Sequence, residues 1–314
     1  MKKPLVILTG PTAVGKTDLS IRLAKKINGE IISADSMQVY KYMDIGTAKI
    51  TKEEMQGVPH YLVDEWEPEE EFNVVKFQSY AKKHMEEIYK KGKIPIIVGG
   101  TGFYIQAIVN DIEFDENDAD TKYREELEAL AKEKGAVYLH EMLKKVDKKA
   151  AEDIHENNQK RVIRALEFYE KTGKKISEHN EAERQKTSPY NFAYFVLTDD
   201  RKVLYDRIDS RVDKMLEQGL LEEVESLQKK GLKRDMVSMQ GIGYKEMFAY
   251  LEGDCSYEEA VYILKRDTRH FAKRQLTWFR REKEVIWLDK SRIGREEDKL
   301  LQVIEEELMK RAIL

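Results

Sequence analysis

The stretch Gly10-Pro11-Thr12-Ala13-Val14-Gly15-Lys16-Thr17 constrains the fold more than any other, because it fits G-x-x-x-x-G-K-[ST]. Such a loop works only between a strand and a helix. Its backbone N–H groups then gather at the helix N-terminus, where an anion is held. The flanks comply: Leu5-Val6-Ile7-Leu8 is an apolar run of strand length, and Leu19, Leu23 and Ile27 recur at helical spacing behind Lys16. Asn28-Gly29 reads as the stop of that helix. The pattern predicts a site for a polyphosphate or diphosphate. Lys16 would neutralise charge there, and the Thr17 hydroxyl is placed to ligate Mg²⁺.

Further strands are predicted at 30–33, with Asp35 just past the end, at 60–64, and at 94–98, which runs into Gly99-Gly100-Thr101-Gly102. Asn73 is placed to cap a helix reaching about Lys91. Strands alternating with helices predict an α/β fold: a parallel, doubly wound sheet flanked by helices. Ligands on such sheets bind at the carboxyl ends of strands. The loops 10–17, 34–38 and 99–102 are therefore the candidate chemical loops.

Beyond Asp111 the pattern changes. Tyr123-Leu127-Leu130, Leu139-Leu143 and Val162-Ala165-Leu166-Tyr169 predict an all-helical insertion over 112–187, leaving 1–111 and 188–314 as the core domain. A strand at 190–197 resumes the core. Helix follows from 201 to about 230, broken near Gly219. Ser256 caps another helix to about Lys283, a last strand lies at 285–288, and a terminal helix ends the chain.

With 314 residues, 41% of them hydrophobic, the chain buries a core without staples. One cysteine, Cys255, excludes an internal disulfide and a cysteine-clustered zinc site. No apolar run approaches the roughly 18 residues of a spanning helix, and the run at 5–8 is too short for a signal peptide. The expectation is a cytoplasmic monomer with no membrane association. The net charge of −4 argues on average against a nucleic-acid partner. Between Lys265 and Lys283, however, eight basic residues face only two acids, Asp267 and Glu282, with Phe271, Trp278 and Phe279 interleaved. That segment suits an RNA backbone. A kinase or NTPase would want an aspartate after an apolar strand. The strand at 94–98 offers none, and Asp35 and Asp64 are the nearest substitutes. On the loop alone, a P-loop kinase or NTPase stays open.

The run Ser33-Ala34-Asp35-Ser36-Met37-Gln38-Val39-Tyr40, with Gly46-Thr47-Ala48-Lys49 behind it and the loop in its Gly-Pro-Thr-Ala-x-Gly-Lys-Thr form, resembles the bacterial tRNA dimethylallyltransferases. These are also called tRNA isopentenyltransferases, the IPP transferase family. Gly57-Val58-Pro59-His60, Asn158-Gln159-Lys160-Arg161-Val162-Ile163-Arg164, Gln240-Gly241-Ile242-Gly243-Tyr244 and Gln275-Leu276-Thr277-Trp278-Phe279-Arg280 also match. The matches run from residue 5 to about 290 in family order, without departure at a motif position. The zinc finger of eukaryotic relatives is missing.

The resemblance implies a P-loop NTPase-like sheet and transfer of a dimethylallyl group from dimethylallyl diphosphate to N6 of adenine 37, beside the anticodon of tRNA. The insertion and the core are expected to clamp the anticodon arm. The exocyclic amine is a poor nucleophile, so a carboxylate that accepts its proton is required. Asp35 is expected in that role, with Thr101 beside it. Gly10 to Thr17, with Mg²⁺ on Thr17, are expected to hold the diphosphate, helped by Arg207 in preference to Arg211. For the flipped base and the anticodon loop, the expected contacts are Asp35, Ser36, Met37, Gln38, Thr101, Tyr123, Gln159, Lys160, Arg161, Val162, Ile163 and Gln240. The backbone contacts are Lys273, Arg274 and Arg280. Two further readings compete: an enzyme acting on free adenine nucleotide, and a non-catalytic RNA-binding protein.

Overall fold

A computed structural model describes residues 2–114 and 122–314. β1 (Lys3–Thr9) is fully buried from Leu5 to Leu8, as a central parallel strand covered on both faces requires. It feeds α1 (Lys16–Lys26), whose Leu19, Ile21, Leu23 and Ala24 face the core. β2 (Gly29–Ala34), α2 (Lys52–Met55), β3 (His60–Tyr61), α3 (Val74–Lys90), β4 (Ile94–Gly99) and α4 (Gly102–Val109) follow. Asn73 Oδ1 accepts from the N–H groups of Val75 and Lys76 and so caps α3. The strand expected over 60–64 is only two residues long. Leu62 and Asp64 both have φ of 60°, a left-handed conformation that takes the chain out of the sheet.

Five helices come next: α5 (Lys122–Lys134), α6 (Ala136–Val146), α7 (Lys148–Asp153), α8 (Gln159–Thr172) and α9 (Ile176–Gln185). Leu127, Leu139, Leu143, Val162 and Leu166 form their common core. Buried Asp147 ties it together, accepting from Ala150 N–H, Ser177 N–H and Ser177 O–H. Then come β5 (Tyr190–Thr198), α10 (Arg201–Glu217), α11 (Leu220–Lys229), α12 (Tyr244–Leu251), α13 (Tyr257–Phe279), β6 (Val285–Asp289), α14 (Lys290–Ile293) and α15 (Glu297–Lys310). Gly219, with φ of 97°, separates α10 from α11. Ser256 Oγ caps α13 by accepting from Glu259 N–H. The chain divides into two compact units: one takes in the chain up to Val109 and again from Pro189, the other runs from Asn110 to Ser188.

The six strands are parallel in the order β3-β2-β4-β1-β5-β6. β1 pairs β4 on one side and β5 on the other, and β2 pairs β4. The loops after β2, β4 and β1 therefore stand side by side at the carboxyl edge. At the opposite end of β2, buried Glu30 is held by Lys91 and Lys93 at 2.8 Å each and by the Tyr61 hydroxyl at 2.7 Å. Burial raises the cost of its charge, but these three partners hold its pKa down at about 2.

Candidate active site at the carboxyl edge of the sheet

The loop after β1 closes tightly. Gly10 has φ of 148°, and a Cβ there would lie 2.5 Å from Leu197 O. Gly15, at the head of α1, has φ of 88°. Lys16 Nζ donates to the carbonyls of Gly10 and Pro11, both at 2.9 Å. Among the described residues no carboxylate pairs with it. Burial and the charge of Arg211 lower its pKa to about 7, and Asp35 opposes them only in part. Arg211 is itself depressed by burial, with Asp18 and Asp35 acting against the shift. Lys16, Arg211 and Asp35 thus share one electrostatic field. Arg207, one helical turn earlier, is tied to buried Asp199 at 3.3 Å, and Arg295 reaches the same carboxylate at 2.9 Å. Burial, and after it the charge of Arg207, lowers the pKa of Lys290, whose Nζ donates to Val14 O at 3.1 Å.

Asp35 sits where β2 ends. Its Oδ1 accepts from Met37 N–H at 2.9 Å and Gln38 N–H at 3.3 Å, a local turn that fixes the carboxyl group. The neighbouring loop is pinned to it. Thr101 N–H donates to Ala34 O at 3.1 Å, and Ser36 N–H donates to Thr101 Oγ1 at 3.2 Å. A lysine and an arginine for an anion, a fixed carboxylate and a hydroxyl therefore converge on one edge. A family model described as IPP transferase matches residues 38–282.

The chain belongs to the IPP transferase family. The tRNA dimethylallyltransferase of Lachnoclostridium phytofermentans is 66% identical over 288 residues, 92% of each chain. The full-length tRNA isopentenylpyrophosphate transferase of Bacillus halodurans, a crystal structure, is 47% identical with a TM-score of 0.74, covering 99% of this chain and 98% of that one. A eukaryotic dimethylallyltransferase captured acting on tRNA has a TM-score of 0.83 at 32% identity, covering 98% of this chain and 80% of that one.

In this IPP transferase the glycines around Thr101 are not turn glycines, for none of Gly99, Gly100 and Gly102 has a positive φ. They are close approaches. A Cβ would meet Ala34 O at 2.3 Å from Gly99, Gln275 Nε2 at 2.1 Å from Gly100, and Trp278 Cδ1 at 2.2 Å from Gly102. Asp64, weighed as a substitute acid, lies after β3, separated from β1 by two strands. It is paired with Lys49 at 3.0 Å. Gln38 directs its amide inward, with Nε2 donating to Thr47 O and Ala48 O at 3.2 Å each. Ser36 and Met37 are half-buried beside Asp35, and Gln240 is exposed. The segment behind Gln38 is braced by Glu223, whose carboxylate accepts from the N–H groups of Asp44, Ile45 and Gly46 and from the Tyr244 hydroxyl.

The basic segment divides in two. Lys265 pairs with Asp213, Arg269 with Asp209 and Arg266 with Asp267. Lys273, Arg274 and Arg280 are exposed and make no ion pair among the described residues, Arg274 lying over the Phe271 ring. In the helical unit, Gln159, Lys160, Arg161 and Arg164 are exposed along α8. Val162 and Ile163, expected among the RNA contacts, are buried in the unit's core at 0% and 6% exposure. Their positions on α8 are its inward face, so their side chains are withdrawn from that set. Tyr123 is half-buried against the same core.

Lys290 and Glu223 escaped the sequence reading, and Gln275 entered it only as part of a family motif, with no role of its own. Lys290 and Glu223 leave no local signal. Gln275 does: Ala272, Gln275 and Phe279 are the buried stripe of α13 at helical spacing, and an amide inside an apolar stripe is a flag. Among the described residues no group of three His, Cys, Asp or Glu is placed to hold a metal, and no helix is long and apolar enough to cross a membrane.

Proposed function

We propose that the chain transfers a dimethylallyl group from dimethylallyl diphosphate to N6 of adenine 37 in tRNA and releases diphosphate. The observation that carries this reading is the convergence of Lys16 and Arg211, cations with no bonded carboxylate among the described residues, beside the fixed carboxylate of Asp35. The first two suit a diphosphate, the third an amine. The likeness to tRNA dimethylallyltransferases supplies the substrates.

In the reaction the bond from N6 to the allylic C1 forms as the C1–O bond breaks, and its electron pair leaves with the diphosphate. Asp35 takes the N6 proton, which keeps the amine lone pair available for attack. Lys16, Arg211 and the N–H groups at the head of α1 hold the developing charge on the leaving group. Thr101 orients the amine against Asp35. The donor set fits Mg²⁺. The hydroxyl of Thr17, exposed in the first turn of α1, has no hydrogen-bond partner among the described residues, and a hard cation of this kind is commonly held by one hydroxyl plus phosphate oxygens. When bound, Mg²⁺ neutralises the diphosphate. Exposed Lys273, Arg274 and Arg280 on the core unit and Gln159, Lys160 and Arg161 on the helical unit supply groups for the anticodon arm, with the protein acting as a cytoplasmic monomer.

The test is to supply labelled dimethylallyl diphosphate, Mg²⁺ and unmodified tRNA without nucleotide, and to count label in tRNA. Parallel reactions offer AMP in place of tRNA, and ATP with tRNA. Label in tRNA without ATP is the expected result. Label in AMP alone, or ATP hydrolysis without transfer, overturns the reading.

A further inference from the structure

Resting on the reading above, we infer that Gln275 of α13 is the positioning residue that fixes the diphosphate loop against the loop carrying Thr101. The side chain is buried, at 6% exposure, between the two. Its Oε1 accepts from Thr12 N–H at 2.9 Å, and its Nε2 donates to Gly100 O at 3.0 Å. One partner is a donor and the other an acceptor, so the amide has a single orientation. Thr12 lies in the loop that holds the leaving group. Gly100 adjoins Thr101, which accepts from Ser36 N–H and so reaches the Asp35 turn. One side chain therefore links the loop on the leaving-group side of C1, where the C1–O bond breaks, to the loop on the amine side, where the C1–N6 bond forms.

The glycine at 100 belongs to the same device. Its backbone is not left-handed, and a methyl group there would occupy the space of Gln275 Nε2, at 2.1 Å. One helical turn along α13, Trp278 fills the space over Gly102 in the same way. The Gly99-to-Gly102 loop is thus shaped to lie under α13, and Gln275 is the point at which that contact becomes directional. No shorter or purely apolar residue replaces it. Glutamate keeps the acceptor but turns a carboxylate oxygen toward Gly100 O, methionine loses both bonds, and asparagine is one methylene short.

The chemistry of glutamate supplies the decisive test. A protonated carboxyl group has one acceptor oxygen and one O–H donor, the same pair as an amide. Gln275→Glu is expected to lower kcat by at least ~10-fold at about pH 8 and to recover toward wild type as the pH falls through the pKa of the introduced group, which burial raises. Gln275→Met is expected to lower kcat by a similar factor with no such recovery. The dissociation constants of tRNA and of dimethylallyl diphosphate should stay within about threefold of wild type in both variants, since misalignment rather than lost binding is the defect. All rates are read as ratios to wild type, whose own transfer to tRNA tests the underlying reading separately. A variant-to-wild-type ratio that is flat with pH in Gln275→Glu, or a wild-type kcat in Gln275→Met, overturns the assignment. So does a loss in kcat that only tracks the folded fraction measured by thermal unfolding. A double-mutant cycle with Gly100→Ala checks the contact itself. The methyl group should cost rate in the wild-type background and little more once Gln275 is Ala, and additive losses count against the inference.

Discussion

Ser36 N–H donates to Thr101 Oγ1 at 3.2 Å, and this bond makes the two loops around Asp35 a single unit. The carboxylate is held by the N–H groups of Met37 and Gln38. An asparagine at position 35 accepts from the same two groups through its carbonyl oxygen, so the turn survives the substitution while the base is lost. Asp35→Asn should lower kcat by about 10²–10⁴, the usual worth of a positioned base, with tRNA and diphosphate binding nearly intact. Single-turnover kinetics with bound substrates checks this. A near-wild-type rate removes Asp35 from the chemistry.

Lys16 provides a pH signature. Its pKa is about 7 in the ligand-free protein against 10.5 for a free lysine. The folded state therefore holds fewer protons than the unfolded one between these values. Burying the ammonium costs stability in full below about pH 7, and the cost is relieved as the pH rises toward 10.5. A diphosphate beside Lys16 favours the ammonium and raises the pKa again. Binding should accordingly take up protons, little at about pH 6 and approaching one per site by about pH 8.5. Calorimetry in buffers of different ionisation enthalpy measures this directly. Lys16→Met should abolish the uptake, and a binding enthalpy that does not depend on buffer in the wild type refutes the linkage.

Much of the fold was legible because its signals are local. A loop with fixed glycine positions, an asparagine ahead of a helix at Asn73 and an apolar run from Leu5 to Leu8 each act over a few residues. The placement of Asp35 and Thr101 at the carboxyl edge was legible for the same reason, since both follow strands directly. The two-residue β3 was not, because the left-handed turns at Leu62 and Asp64 follow from what surrounds them and not from their own side chains. The different surroundings of Arg207 and Arg211 were equally beyond sequence. Both lie on one face of α10, and only the presence of Asp199 beside Arg207 separates an arginine with a carboxylate partner from one facing Lys16. The reason for glycine at 99, 100 and 102 was not legible either, because it is set by Ala34, Gln275 and Trp278, which lie far away in the chain.

Glu30 should govern acid stability at the other end of the sheet. Its pKa of about 2 lies below the 4.5 of an ordinary glutamate because Lys91, Lys93 and Tyr61 outweigh burial. Its stabilising contribution is present above pH 4.5 and is lost as the pH falls toward 2. Glu30→Gln should reduce stability by roughly 1–3 kcal/mol near neutrality and flatten the acid limb of a stability–pH profile. Chemical denaturation at several pH values reads both. A variant whose loss is the same at low and neutral pH shows that shape, not charge, is what Glu30 supplies.

The division of the basic segment leads to a contrast between two sets of substitutions on one helix. Lys265 and Arg269 are already answered by Asp213 and Asp209 of α10, so each pair presents little net charge to a polyanion. Lys273, Arg274 and Arg280 are exposed and have no acidic partner among the described residues. A cation that contacts a phosphate releases condensed counterions, and each such contact contributes about 0.7–0.9 to the slope of log K against log[salt]. Replacing Lys273, Arg274 and Arg280 together with alanine should weaken tRNA binding and lower that slope by about 2–3 units. Replacing Lys265 and Arg269 should move it by less than about one unit, because what is lost is an internal pair. Affinity for dimethylallyl diphosphate should be unchanged in the triple variant, since these side chains lie outside the diphosphate loop and Gln275 of the same helix is untouched. Filter binding of tRNA across a salt series distinguishes the two sets. If the triple variant keeps the wild-type slope, this face of α13 is simply solvated and the tRNA backbone is held elsewhere. If both sets lower the slope equally, the pairs with α10 open on binding and all five cations reach the RNA.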